Sequence, residues 1–324
     1  MPKIGLTGVY FDGAKKALIE NVPEGFEIEF INGKEEYNKL KDVEYIINRL
    51  AVDSEIFTAA KNLKLLQKWG AGFDDCDIKL AGSLGITVAN CPGVNSRPVA
   101  ELAVMHMLSV YRNLIAINRN LTKGIWPKSE FFGRSYMING KTVGIIGLGN
   151  IGSKVAEILT GGFGADVQYY DIERKPWLEE KYGCKFVTFE DILRTSDIIT
   201  VHVPQKEDTI GMIGKNEFEK MKKTAIIINT ARGPIVEESA LINALESGRI
   251  LGAGVDNFNK EPVGADHPLL HMANVSATAH AGGNTADNDI NMVKYCYGNI
   301  VKFHNGQPFN SPKDLINGQY LVKK

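Results

Sequence analysis

At 324 residues the chain is too long for one ordinary hydrophobic core and suits about two domains. Apolar residues make up 44%, charged residues 23%, and the net charge is −1. That is the balance of a globular protein; it argues against a nucleic-acid footprint, and no apolar run approaches the length of a membrane span. The opening stretch, MPKIGLTGVY, enters a strand-like segment at once and lacks the apolar region of a signal peptide. Cys76, Cys91, Cys184 and Cys296 are scattered without a CxxC pair, so reduced thiols in a cytoplasmic protein are expected.

The first hundred residues alternate between two patterns. KIGLTGVY, FEIEFIN, VEYIINRL, LKLLQKWG and ITVAN read as short strands. AKKALIENV, EEYNKLKD, SEIFTAAKN and DIKLAGSLG between them read as helices. Such alternation predicts a parallel, doubly wound α/β sheet with right-handed crossovers. Residues 98–120 then form a long apolar-rich stretch with Pro98 at its first turn. They predict one helix buried on several sides, including against another subunit. TKGIWPKSEFFGRSYMING reads as a long loop.

A second alternating series starts at Lys141. Strands are expected at KTVGIIG, DVQYYD, DIITVHVP, AIIINTARG, ILGAGVDNF and NVSATAH, with helical stretches between them. From about Thr285 a further helix carries the chain away, so it can return to the first domain and make that domain discontinuous.

Gly147-Leu148-Gly149-Asn150-Ile151-Gly152 fits G-x-G-x-x-G directly after a strand and at the start of a helix. In that setting the glycines provide a tight turn, close backbone approach to a pyrophosphate and close helix–strand packing. The helix start, at Asn150 and Ile151, offers free N–H groups and the positive dipole end to the phosphates. Asp171, 19 positions after Gly152 (171 − 152), ends the next strand. A carboxylate there accepts hydrogen bonds from ribose hydroxyls and repels a 2′-phosphate. NAD is therefore expected over NADP, with Arg174 nearby softening the preference.

Three polar groups stand just past later strands: Arg232 after AIIIN, Asp256 with Glu261 after ILGAGV, and His280 after NVSATA. In an open parallel sheet that edge is where ligands bind. GIIGLGNIG, NTARGPIVE, AGVDNFNKEP and ATAHAGG, preceded by KWGAGFDDCDI, ITVANCPGVN and PVAELAVMHML, resemble the NAD-dependent D-2-hydroxyacid dehydrogenase family over nearly the whole chain. The resemblance implies a flavodoxin-like substrate domain at residues 1–98 and 284–324, with a Rossmann cofactor domain inserted at 99–283. It also implies a homodimer made by the long helix of residues 98–120, with no membrane or nucleic-acid partner.

On this resemblance Arg232 forks onto the carboxylate and carbonyl of a 2-oxo acid, and His280 exchanges the proton of the hydroxyl. Glu261 holds the imidazole through its other nitrogen. The resemblance further places Arg49 and the N–H groups of Ala71 and Gly72 at the substrate. Val203, Pro204, Thr230, Asp256 and Gly283 are placed along the cofactor. Two departures stand out: Ala279 replaces a proline usual before the histidine, and Gln205 replaces a leucine after Pro204. His267 and His271 are interrupted by Pro268 and completed by no carboxylate or cysteine set, so no metal is expected. The chain ends at Lys324, leaving no expectation of the regulatory domain appended in many phosphoglycerate dehydrogenases. An NAD(H)-sensing or corepressor-like binding protein without turnover is the alternative reading of the same residues.

Overall fold

The structure, a computed structural model, describes residues 1–49, 52 and 54–322. Leu50, at the end of the expected strand VEYIINRL, lies outside the described residues. The chain divides into two compact units: Met1–Asn95 with Gly283–Lys324, and Ser96–Gly282. Each is built on an all-parallel sheet.

The first unit holds β1 (Lys3–Thr7), β2 (Glu27–Ile31), β3 (Tyr45–Asn48), β4 (Leu65–Lys68) and β5 (Thr87–Ala89), in the order β2-β1-β3-β4-β5. β3 and β4 are buried along their whole length. Helices cover both faces of such a sheet, so its strands read as continuous apolar runs rather than alternating ones. The 19-residue helix Ala286–His304 lies against β4 and the helix Asp12–Glu20. Its Met292, Val293, Cys296, Tyr297 and Ile300 complete one face of the core with Ala14, Leu18, Tyr45 and Leu65. Beyond it, the Asn317 side chain accepts the Val88 N–H at 2.8 Å and donates to the Ile86 carbonyl at 2.9 Å.

The second unit holds β6 (Thr142–Ile146), β7 (Asp166–Tyr170), β8 (Lys185–Phe186), β9 (Ile198–Val201), β10 (Ile226–Asn229), β11 (Gly252–Val255) and β12 (Val275–Ala277). The order is β12-β11-β10-β9-β6-β7-β8. The winding reverses between β6 and β9, and such switch points hold ligands at the carboxyl ends of the strands. β8, a two-residue exposed edge strand, has no counterpart in the sequence expectations; at that length no periodicity exists to read.

The single helix expected over residues 98–120 is two helices, Ser96–Tyr111 and Leu114–Leu121. Asn113 at φ 54° breaks it. Asn tolerates the left-handed region better than most residues, and its side chain is held there by the Arg134 carbonyl at 3.0 Å. The first helix buries Val99, Ala100, Ala103, Met107 and Val110 against β10, β11, β12 and the helix Asn150–Ile158.

Candidate active site

The glycine turn closes β6. Gly147 has φ 93°, and a Cβ there would lie 2.9 Å from the His202 carbonyl carbon. A Cβ on Gly152 would lie 2.1 Å from the Gly147 oxygen, so only glycine lets the helix Asn150–Ile158 start so close to the strand. Gly149 has open space within 4 Å of where a Cβ would stand. No side chain caps this helix start, so its amide groups are left to bind an anion.

Asp171 lies one residue beyond β7. Its Oδ2 accepts the Leu148 N–H at 2.9 Å and the Lys175 ammonium at 2.6 Å. Lys175 Nζ also donates to the Leu148 carbonyl at 3.0 Å. The carboxylate is thus tied to the turn by one oxygen, while Oδ1 has only a long contact, 3.4 Å, from the Glu173 N–H. Arg174 is drawn elsewhere: its guanidinium grips Glu179 at 2.8–2.9 Å. That pair, with the Tyr169 hydroxyl, holds the Glu179 carboxyl down at about 2. Lys175 is a residue the sequence reading missed; its signal is a cation four positions after Asp171.

Along β9, His202 and Val203 continue past the strand end, and Pro204 is exposed. His202 Nε2 meets the Thr200 hydroxyl at 2.8 Å. Burial pushes this imidazole down to about 3, so it is neutral at physiological pH. Thr230, just past β10, keeps a buried hydroxyl oxygen with no hydrogen-bond partner among the described residues. An unpaired buried hydroxyl is costly unless a ligand or water completes it. The open Gly149, the uncapped helix start, the Asp171 Oδ1 with its single long contact and the Thr230 hydroxyl together fit a dinucleotide.

The polar groups expected at the substrate, Arg232, Glu261 and His280, follow the adjacent strands β10, β11 and β12. Parallel strands bring their carboxyl ends to one edge, which is how residues far apart in sequence share a site. Arg232 stands three residues past β10, half-buried and extended at φ −149°. Asn229 braces that turn, donating to the Arg232 carbonyl at 2.8 Å and accepting the Ala231 N–H at 3.1 Å. Past β11 the Glu261 carboxylate accepts the Phe258 N–H on Oε1 at 3.0 Å. Its Oε2 meets His280 Nδ1 at 2.7 Å. A carboxylate can only accept, so Nδ1 carries the hydrogen of that bond. The imidazole is half-exposed.

Asp256, expected along the cofactor, is 1% exposed. Its oxygens are taken by the Thr278 hydroxyl and by the N–H groups of Ala281 and Gly282. Ala279 introduces no break: the His280 N–H still reaches the Asp256 carbonyl at 2.7 Å.

The remaining expected residues belong to the first unit. Arg49 Nη2 donates to Asn284 Oδ1 at 3.1 Å, and its guanidinium lies 5.3 Å from the Phe11 ring centre and 5.7 Å from that of Trp69. Gly70 at φ 122° turns the chain into Ala71 and Gly72. The Ala71 carbonyl accepts from Asn90 Nδ2 at 2.7 Å. Gly283 joins this unit, not the second, and its carbonyl accepts from Asn288 Nδ2 at 3.2 Å. His267 and His271 bond Glu238 and the Ala265 carbonyl, at 3.2 and 2.8 Å.

A glycine turn opening a helix, a carboxylate one residue past the next strand, and a histidine–carboxylate pair at the same sheet edge fit a nicotinamide-dinucleotide oxidoreductase. Residues 104–282 match the D-isomer specific 2-hydroxyacid dehydrogenase NAD-binding domain. A glyoxylate reductase of Korarchaeum cryptofilum is 35% identical over 289 residues, 88% of this chain and 86% of that one. A D-3-phosphoglycerate dehydrogenase of Archaeoglobus fulgidus is 38% identical over 296 residues, 90% of this chain and 56% of that longer one. The crystal structure of D-lactate dehydrogenase with NAD+ from Lactobacillus jensenii superposes with TM-score 0.82 at 29% identity, covering 97% of this chain and 99% of that one. The chain belongs to the D-isomer specific 2-hydroxyacid dehydrogenase family and is an NAD-dependent oxidoreductase acting on CH–OH groups.

Proposed function

We propose that the chain interconverts a small 2-oxo acid of the glyoxylate type and its 2-hydroxy acid, with Arg232, His280 and Glu261 as the working groups. NAD(H), held by Gly147, Gly149, Asn150, Ile151, Gly152 and Asp171, supplies or accepts the hydride at the substrate's C2. Val203, Pro204 and Thr230 line its path, and the Asp256 backbone region supports it. Arg232 pairs with the substrate carboxylate and polarises the neighbouring carbonyl by charge-assisted hydrogen bonds. During reduction His280 gives the Nε2 proton to the carbonyl oxygen as charge develops there; in oxidation the same nitrogen takes it back. Glu261 fixes the tautomer through Nδ1 and stabilises the imidazolium. Arg49, Ala71, Gly72 and Gly283 are proposed as further substrate- and nicotinamide-binding residues.

The observation that carries this reading is the 2.7 Å contact between His280 Nδ1 and Glu261 Oε2. A protein that only sensed NAD would have no use for an oriented acid–base pair. The glyoxylate preference is supported by the named activity of the Korarchaeum cryptofilum relative. The test is NADH consumption with glyoxylate, hydroxypyruvate, pyruvate and 3-phosphohydroxypyruvate. Faster turnover with the two smallest unphosphorylated acids is expected, and no turnover with any of them defeats the reading.

A homodimer through the helix region of residues 98–120 belongs to the same proposal. Met105, Leu108 and Leu114 are exposed there beside Arg97 and Arg112 around a groove of about 570 Å³. Ile125, Trp126 and Phe132 in the following loop are exposed too. Clusters of this kind mark protein–protein interfaces. Leu108→Asp should convert a dimer to monomers in analytical ultracentrifugation. A cytoplasmic location is proposed from the four unbridged cysteines.

A further inference from the structure

Behind the His280 loop runs a chain of buried polar groups that the reaction described above does not use. His106 sits in the helix Ser96–Tyr111 and is fully buried. It fits because Gly254, facing it from β11, has no side chain: a Cβ there would come within 2.6 Å of the His106 Cβ. His106 Nδ1 is 2.8 Å from the Ser276 hydroxyl, and Nε2 is 3.1 Å from the Thr278 hydroxyl. The Thr278 hydroxyl is 2.5 Å from Asp256 Oδ1.

The direction of every bond in this chain follows from donor counting. The Asp256 carboxylate only accepts, so Thr278 spends its one hydroxyl proton on it. Thr278 can then only accept from His106, so Nε2 carries the hydrogen. Burial pushes the His106 imidazole down to about 4, and a neutral ring with Nε2–H has Nδ1 as its acceptor. Ser276 therefore donates to Nδ1. The run Ser276 → His106 → Thr278 → Asp256 is saturated and points one way.

At its end the Asp256 carboxylate accepts the N–H of Ala281 at 2.8 Å and of Gly282 at 3.0 Å. The Asp256 carbonyl takes the N–H of His280 at 2.7 Å. Three consecutive amides are thus gathered on one residue. His280 needs such a clamp: its φ is 50°, in the left-handed region that a residue with a side chain enters only at a cost. From that turn its Nδ1 meets Glu261.

We propose that His106 is a positioning residue for the His280–Glu261 pair, acting through Thr278 and the Asp256 carboxylate on the backbone of residues 280–282. The proposal rests on His280 being the acid–base group. Without the His106 N–H, the Thr278 hydroxyl oxygen is left with no donor and Asp256 loses its fixed partner. The left-handed turn then competes with relaxed conformers in which the imidazole misses Glu261. The residues proposed to grip the cofactor at the Gly147 turn lie outside this hydrogen-bond chain.

The experiment compares His106→Leu, His106→Gln, Thr278→Val and the His106→Leu/Thr278→Val pair with the wild-type enzyme, on glyoxylate and NADH. His106→Leu should lower kcat about tenfold, with the NADH Kd and substrate KM within about twofold. His106→Gln, which returns an N–H toward Thr278, should restore most of the loss. Thr278→Val should match His106→Leu, and the double variant should be no worse than either, because one chain is cut in both. Wild-type kcat in His106→Leu, or losses that multiply in the double variant, overturns the proposal. If His106→Leu does not fold, Thr278→Val and His106→Gln carry the same comparison. If the wild type turns over none of the acids, the acid–base reading has failed on its own. The positional claim is then decided by crystal structures: Thr278→Val retaining His280 near φ 50° and in contact with Glu261 overturns it, and loss of either supports it.

Discussion

Asp171 offers a quantitative test of cofactor selection, because it does not face the cofactor as a bare carboxylate. Lys175 is salt-bridged to it at 2.6 Å, and both side chains are largely buried, 13% and 22% exposed. Two unit charges about 5 Å apart at an effective dielectric near 20 interact by about 3 kcal/mol. Partial exposure and salt reduce that to about 1.5 kcal/mol for each charge facing a 2′-phosphate. Repulsion from Asp171 and attraction to Lys175 then largely offset each other, and the wild-type preference for NADH should be modest. Asp171→Asn keeps an oxygen for the Leu148 N–H, removes the repulsion and releases the ammonium. It should shift the ratio of kcat/KM for NADH over NADPH toward NADPH by about tenfold. Lys175→Ala should move the ratio the other way by about tenfold. The assay is initial rates with each cofactor at fixed oxo acid. If Lys175→Ala leaves the ratio unchanged or favours NADPH, the offsetting-charge argument is wrong.

Three further outcomes are expected. His280→Ala should cut turnover by about 10²–10⁴-fold while NADH titrations give an unaltered Kd, and near-normal turnover would remove His280 from the proton transfer. Gly152→Ala places a methyl 2.1 Å from the Gly147 oxygen; it should weaken NADH binding at least about tenfold and lower Tm, whereas Gly162→Ala, which meets open space, should do neither. Because the folded-state His106 pKa of about 4 lies below the ordinary value of 6.5, the unfolded chain binds a proton first as pH falls. The stability this group confers is full above pH about 6.5 and is lost toward pH about 4, at about 1.4 kcal/mol per pH unit. Urea midpoints measured between pH about 7 and 5 should therefore fall more steeply for wild type than for His106→Gln; equal slopes would show that the imidazole is not held neutral.

What could be read in advance was whatever is local. Continuous apolar runs such as Ala225–Ile228 read as strands covered on both faces, and the glycine spacing at 147–152 is a backbone requirement written in consecutive residues. Strand ends announced Arg232, Glu261 and His280 because parallel pairing sends every such end to one edge. Three things escaped. Asn113 divides a helix by a φ choice that an apolar pattern does not record. Lys175 was overlooked because the more conspicuous Arg174 stood beside it, and only the folded turn shows which cation Asp171 receives. His106 is one polar residue in an apolar helix; its partners, Ser276 and Thr278, are about 170 positions away and meet it only through the packing of that helix on β12.

The discontinuity of the first unit bears on how the protein is made. Its five strands are complete once Ala89 has been synthesised, yet the helix that covers Ala14, Leu18, Tyr45 and Leu65 begins at Ala286. The whole of Ser96–Gly282 must leave the ribosome in between, 187 residues (282 − 95). At about 5–20 residues per second that is a wait of roughly 10–40 s, during which a greasy half-sheet stands uncovered. The Ser96–Gly282 unit, contiguous in sequence, is free to mature before the segment synthesised ahead of it is covered.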